Sequence, residues 1–244
     1  VKLFDADPRL RWLFCMTHPD DEISIAAWIW RLSRAGAEVW VSWTHSIPVR
    51  EAEARGFARL AGIPADRLHF FEAPDGFVCD HLELLEPQFG ALVERVRPDR
   101  VVCGAFEQGH IDHDATNLLV NRVYDGPILE VPFYHSYADR LMVVNRFATR
   151  EGQEVIRTTH EEAMFKRSVA RLYPSQRIKD ILFWAERIRK VLGREPLAST
   201  ERLRLQRHHD FLRPNLPPRL ARRVLETRTW GRWERAVRKY LGGR

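Results

Sequence analysis

The stretch Trp12-Leu13-Phe14-Cys15-Met16-Thr17-His18-Pro19-Asp20-Asp21-Glu22 decides how this chain is read. Its first five residues form an unbroken apolar run, the pattern of a strand buried on both faces of a parallel sheet. Pro19 ends the strand and turns the chain. Beyond it, Ile25, Trp28, Ile29 and Leu32 recur at helical spacing and Gly36 follows, which predicts a helix over 21–35. A histidine and adjacent carboxylates therefore stand where a strand hands over to a helix. Open α/β sheets bind their ligands at that carboxyl edge. Imidazole and carboxylate are ordinary zinc ligands, and a second carboxylate beside them can serve as a base.

A second cluster has the same setting. The apolar run from Val101 to Phe106 is followed by Gly109-His110-Ile111-Asp112-His113-Asp114. If a helix starts here, His110 and His113 share one face about a turn apart. Together the two clusters supply three ligands of the catalytic-zinc kind, leaving a fourth position for water.

Working outward, strand and helix signals alternate through the first half of the chain. Strands are predicted at 38–44, 67–72 and 100–106, and helices at 49–61, 84–97 and 112–124. Gly62-Ile63-Pro64 ends the second helix, Pro74-Asp75-Gly76 reads as a turn, and Pro87 and Gly90 weaken the 84–97 helix. Two more strands, 128–134 and 141–147, are joined by a hairpin-like link at 135–140. This alternation predicts an α/β fold with a Rossmann-like, mostly parallel sheet and crossover helices. Helices over 161–172 and 177–192 follow, separated by Tyr173-Pro174-Ser175. Segment 193–218, rich in Pro and Arg, reads as a long excursion, and 220–241 as a terminal helix carrying Trp230 and Trp233.

With both clusters in hand, the chain resembles the LmbE-like, or PIG-L, family of zinc-dependent de-N-acetylases. That family carries a His-Pro-Asp-Asp-Glu run after its first strand and a His-x-x-His element roughly a hundred residues later. The resemblance covers about the first 175 residues, up to Tyr173-Pro174-Ser175-Gln176. It suggests a deacetylase domain over 1–192, with 193–244 as a basic helical extension packed on it. It implies that His18, Asp21 and His113 hold Zn2+, although other divalent ions suit the same donors. It further implies that Asp20 is the general base and that His110 stabilises the oxyanion, a task a protonated imidazole performs better than a neutral one.

Other residues have two readings. Arg50 opens the helix after the second strand in an Arg-x-x-Glu-Ala pattern similar to the family's, where a guanidinium can clasp sugar hydroxyls or a carboxylate. Asp75 can accept hydrogen bonds from sugar hydroxyls or merely serve its turn. Trp43 is the tryptophan best placed to stack on a sugar, while Trp28 and Trp30 read as core. His45 ends the second strand and suits either substrate contact or a structural role. His135, beside Tyr134, is equally open, and His69 reads as packing. Glu22 reads as the charge that a helix N-terminus favours.

Composition limits the alternatives. No apolar run reaches the roughly 18–20 residues that span a bilayer, and no secretory signal pattern opens the chain, so a cytoplasmic location is expected. The chain's three cysteines cannot all pair, and Cys15 and Cys103 read as small core hydrophobes. Residues 187–244 hold 17 Lys or Arg against 5 Asp or Glu, so this tail is strongly basic and the remainder acidic. A solvated helix face is the favoured reading of that charge, with peripheral contact to an anionic membrane as the other. No nucleic-acid motif accompanies it, so no nucleic-acid partner is expected. The expected function is removal of an acetyl group from an N-acetylglucosamine-containing conjugate, a small-molecule or lipid-linked sugar. The alternatives are an amidase taking a larger acyl group, and a sugar-binding or anionic-surface-binding protein that keeps the pocket without catalysis.

Overall fold

A computed structural model describes residues 2–135 and 143–242. The chain runs β1 (Arg11–Met16), α1 (Ala26–Arg34), β2 (Glu38–Trp43), α2 (Pro48–Ala61), β3 (Leu68–Phe70), α3 (Leu82–Val96), β4 (Arg100–Gly104) and α4 (Ile111–Val123). It continues through β5 (Ile128–Val131), β6 (Tyr134–His135), β7 (Val143–Val144), β8 (Gln153–Arg157), α5 (His160–Ala170) and α6 (Ile178–Val191). It closes with β9 (Thr200–Leu205), α7 (Pro218–Leu225) and α8 (Arg228–Gly242). A 3-10 turn over Asp21–Ile25 leads into α1, so the helix expected over 21–35 starts tightly wound.

The main sheet has the order β3-β2-β1-β4-β5-β9-β8. The first five strands are parallel, while β9 is antiparallel to β5 and β8 is antiparallel to β9. From β1 the chain winds outward through β2 and β3, then returns to place β4 on the other side of β1. The crevice outside the carboxyl ends of β1 and β4 is thus a topological switch point. Both metal-competent clusters follow these two strands.

Successive residues of β1 face opposite cores. Trp12, Phe14 and Met16 join the core that also takes α1, α2 and α5. Leu13 and Cys15 join the core formed with α3, α4 and α8. Burial on both faces is why the strand reads as continuous apolar sequence. All three cysteines are buried free thiols. Helix α3 runs through Pro87 because Leu82, Leu85, Phe89, Leu92 and Val96 all bury on one face, outweighing a proline cost of about 3 kcal/mol.

Several expectations need correction. Segment 193–218 is no bare excursion, because β9 lies within it and extends the central sheet. Strand β8 was not anticipated at all. The 220–241 helix is two helices, parted after Leu225. The third strand is confined to Leu68–Phe70. Of the expected 141–147 strand, Val143–Val144 is a strand paired with β6, and the linking residues 136–142 fall outside the described residues.

Strand β9 also anchors the start of α1. The buried Glu201 carboxylate accepts the Ala27 and Trp28 amides, each at 2.8 Å, and pairs with Lys166 Nζ at 2.5 Å. It meets helix N–H groups that have no partner within the helix. The basic tail does not form one surface. Helix α8 buries Trp230, Trp233, Val237 and Tyr240 on one face of the sheet, whereas Ile178 at the start of α6 packs on the other. Among the described residues, no helix is long and apolar enough to cross a membrane.

Candidate metal and catalytic site

Loops after β1, β2, β3 and β4 bring His18, Asp20, Asp21, Arg50, Asp75, His110 and His113 into one pocket. Asp21 is fixed by local backbone: its Oδ2 accepts the amides of Thr17 at 3.1 Å and His18 at 2.8 Å. His113 is the third residue of α4 and is nearly fully buried. Phe133 packs edge-on against its ring, with centroids 4.9 Å apart. Gly104 makes room for that contact, since a Cβ there would meet Phe133 at 2.6 Å. Thr116 on α4 links the ends of β1 and β2, its hydroxyl lying 2.9 Å from those of Thr17 and Thr44.

Donor atoms face one another across the pocket. His18 Nδ1 lies 3.2 Å from His113 Nε2, and Asp21 Oδ1 lies 3.3 Å from the same Nε2. Asp21 Oδ2 is 3.7 Å from His18 Nδ1. Tetrahedral ligands at about 2.0–2.1 Å from a zinc ion are separated by roughly 3.3 Å. The donor types are ones that zinc accepts and the His18–His113 separation fits, with a different Asp21 oxygen facing each imidazole. Two other groupings also bring donors close: His18 with His110 and His113, and His18 with Asp75 and Asp112. In the second, His18 Nε2 is 3.3 Å from Asp75 Oδ1 and 3.5 Å from Asp112 Oδ2, but neither contact is aligned as a hydrogen bond.

The electrostatics call for a cation. Asp20, Asp21, Asp75 and Asp112 converge here, and Arg50 lies 3.3 Å from Asp20 and 3.9 Å from Asp75. Burial pulls the His18 imidazole down, yet Asp112, Asp75 and Asp21 outweigh it and push it up to about 10. Carboxylates that hold a proton there attract a divalent cation for the same Coulombic reason. Burial works against Asp21 as well, but His113 and His18 hold it well below the usual carboxylate range. Asp20 goes the other way. Burial and the neighbouring Asp21 charge push it up to about 7, with Arg50 opposing.

Asp20 has an unusual backbone, with φ at +127°. Such a conformation costs a non-glycine residue about 1–3 kcal/mol. Glu22 holds it in place by accepting the Asp20 amide at 3.0 Å. Glu22 also accepts from Trp43 Nε1 at 3.2 Å and is hydrogen-bonded to the Tyr173 hydroxyl. Burial pushes its carboxyl up to about 8. The expectation of a simple helix-end charge is therefore replaced by a buried hub beneath Asp20. Its only sequence signal was membership of the His-Pro-Asp-Asp-Glu run.

His110 caps α4. Its Nδ1 accepts the Asp112 amide at 3.2 Å, which leaves the proton on Nε2. Burial, together with His113 and His18, pushes it down to about 4, so the resting ring is neutral. Asp112 accepts the Gly76 and Val78 amides at 2.5 and 3.0 Å. It thereby ties the loop bearing Asp75 to the start of α4. Arg50 is buried, donates to the Pro19 carbonyl at 2.7 Å and braces the Asp20 loop. Trp43 is fully buried and stacks on Phe70 at 4.7 Å, so it offers no face to a sugar. His45 is buried, with Nδ1 2.8 Å from the Ala73 carbonyl and its ring centroid 5.7 Å from that of His18. From Asp20 and Asp21 a cavity of about 1400 Å³ extends along Phe133, Ala170, Leu182 and Leu197.

Comparison with known proteins finds one family match and several similar structures. Residues 13–124 match the family described as GlcNAc-PI de-N-acetylase, PIG-L. No curated protein sequence matches the chain. A deacetylase triple mutant (Orf2*T) of the teicoplanin biosynthetic pathway is similar in structure, with 17% identity and a TM-score of 0.63 over 82% of this chain and 99% of that one. The zinc-inhibited form of teicoplanin deacetylase Orf2 gives 14% and 0.58 over 82% and 99%. N,N'-diacetylchitobiose deacetylase from Pyrococcus horikoshii gives 15% and 0.55 over 84% and 89%. At these identities the likeness shows a shared fold. Strand order and clustered side chains agree with the family match: residues 13–124 are similar to the PIG-L family.

Proposed function

We propose that this protein is a metal-dependent hydrolase that removes an N-acetyl group from an N-acetylglucosamine-containing conjugate. The observation that carries the reading is the set of facing donor atoms, 3.2–3.7 Å apart, contributed by His18, Asp21 and His113. We assign these three as ligands, with zinc as the metal their chemistry suits best. When bound, zinc supplies Lewis-acid polarisation of the amide carbonyl and acidifies a water molecule.

The side chains then divide the remaining work. Asp20 accepts a proton from the attacking water and returns it to the amide nitrogen as the C–N bond breaks, releasing acetate and the free amine. A carboxyl whose affinity for protons lies near neutrality suits both directions. His110 donates its Nε2 proton in a hydrogen bond to the oxyanion of the tetrahedral intermediate. Arg50 holds the Asp20 loop, and Asp75, exposed on its turn, accepts hydrogen bonds from sugar hydroxyls.

Family and fold support this reading, since PIG-L is described as a GlcNAc-PI de-N-acetylase and each structural neighbour above is a deacetylase. The test is acetate release from N-acetylglucosamine conjugates by zinc-loaded protein and by Asp20→Asn. The variant is expected to keep its metal and lose about 10²–10⁴-fold in kcat. Equal rates in the two would overturn the assignment of the base. The cavity of about 1400 Å³ favours a second reading, an amidase with room for a larger acyl group. Rates that rise from acetyl to longer amides would select it.

A further inference from the structure

Helix α6 has two apolar sides. Ile178, Leu182, Ala185 and Val191 line the cavity, as do Arg187, Lys190 and Arg194. Trp184, Ile188, Val191 and Leu192 are between 56 and 81% exposed. Their spacing of four, three and one places them on one stripe of the helix surface and its C-terminal end. Contiguous exposed apolar surface of this kind marks an interaction site.

The stripe is bordered by positive charge. Arg187 and Lys190 lie to one side of it, Arg189 to the other, and Arg194 just beyond the helix. Arg146, Arg150 and Arg202 add to the field at the C-terminal end. Burial, together with repulsion from Arg146, holds Arg202 and Arg189 below the usual arginine value. Glu195 pairs with Arg157 at 2.7 Å and Glu186 accepts the Leu197 amide at 2.8 Å, while both also attract Arg189. Among the described residues, no carboxylate lies within ion-pair distance of Arg146, Arg187, Lys190 or Arg194.

An apolar stripe flanked by cations matches one occupant in both respects. A second copy of the chain would bring two positive fields together, and a nucleic-acid backbone offers nothing to the stripe. An anionic bilayer accepts the apolar side chains among its acyl chains and the cations among its phosphates. We infer that α6 docks this protein on an anionic phospholipid surface, with Ile188, Val191 and Leu192 entering the interface and Arg187, Lys190 and Arg194 on the headgroups. The inference does not need the catalytic reading, although Val191, Arg187, Lys190 and Arg194 also line the cavity that reaches Asp20.

The test is co-sedimentation of the full chain with vesicles of phosphatidylcholine alone, and with vesicles containing about one third phosphatidylserine. Binding is expected only to the anionic vesicles and should weaken sharply at high ionic strength. The variant Ile188→Ser/Val191→Ser/Leu192→Ser is expected to bind at least about tenfold more weakly. Arg187→Glu/Lys190→Glu is expected to lose about fivefold per cation removed. Both variants alter exposed positions, so their melting temperatures should match the parent's. Equal binding to neutral vesicles, or indifference to both variants, would overturn the inference. So would a concentration-dependent dimer that the serine variant dissolves, since a second copy would then cover the stripe. Binding abolished by inorganic phosphate at matched ionic strength, yet unaffected by the serine variant, would mean an anion pocket only and would also overturn it.

Discussion

Two clusters of buried charge lie in this sheet, and they are built on opposite plans. In the first, Arg204 on β9 donates to Glu130 at 2.6 Å and Glu107 at 2.8 Å, with Phe147 packed on its guanidinium. The remaining carboxylate oxygens take the amides of Phe106 and Ala148, at 3.1 and 3.0 Å. Opposite charges meet and each carboxylate oxygen accepts a hydrogen bond, although Arg204 Nη2 has no hydrogen-bond partner among the described residues. In the second, around His18, two imidazole nitrogens face each other at 3.2 Å, and four aspartates gather with one arginine, which reaches only Asp20 and Asp75. Two imidazole nitrogens at this distance are held together by a shared proton or by a cation. The first cluster ties β9 to the rest of the sheet, whereas on our proposal the second takes its complement from outside the chain.

That contrast breaks first at the ligands. His113→Ala is expected to reduce bound zinc from about one per chain to almost none, measured by metal analysis after dialysis. Activity should fall by more than the roughly 10–100-fold that loss of an outer-sphere partner costs. Folding should be little harmed, because the site is not what closes the sheet. Arg204→Met should do the reverse. It strands two buried carboxylates and should cost about 3–5 kcal/mol in denaturant unfolding, while leaving kcat per folded molecule nearly unchanged.

The first cluster should also declare itself through pH. Burial pushes Glu107 up to about 7, with Arg204 opposing and Glu130 adding to it. A folded-state value above the unfolded one means that the folded chain binds the extra proton. The stabilisation is therefore complete below the ordinary glutamate value and is lost as pH rises through about 7. Tm should fall over that window by about 2–4 °C per kcal/mol lost, and Glu107→Gln should flatten the slope. The smallest effect belongs to the hub beneath the base. Tyr173→Phe removes one of the hydrogen bonds to Glu22 and should lower kcat by about fivefold, near 1 kcal/mol, with KM unchanged. A fall confined to KM would mean that the hub does not position Asp20.

Legibility from sequence divides along similar physical lines. Strands β1, β2 and β4 are apolar over most of their length because both faces are covered, and each ends in polar loop residues, so the switch point and its two clusters could be located from the chain alone. Strands β8 and β9 were hidden. The sequence Thr200-Glu201-Arg202-Leu203-Arg204-Leu205 buries charges that are paired, and paired burial leaves no apolar signature. Trp43 misled because its position at a strand end is a pocket position by sequence, whereas its indole N–H is spent on Glu22. Glu22 and Asp112 look like ordinary helix-start acids. Their roles depend on Tyr173 and on the amides of Gly76 and Val78, which are distant in sequence.

The most direct test is a crystal of zinc-soaked protein with diffraction data collected at the zinc absorption edge. We expect one strong anomalous peak at about 2.0–2.1 Å from His18 Nδ1, His113 Nε2 and an Asp21 oxygen. A peak on the other side of the imidazole, among His18 Nε2, Asp75 and Asp112, or no ordered peak in this pocket, would contradict the account.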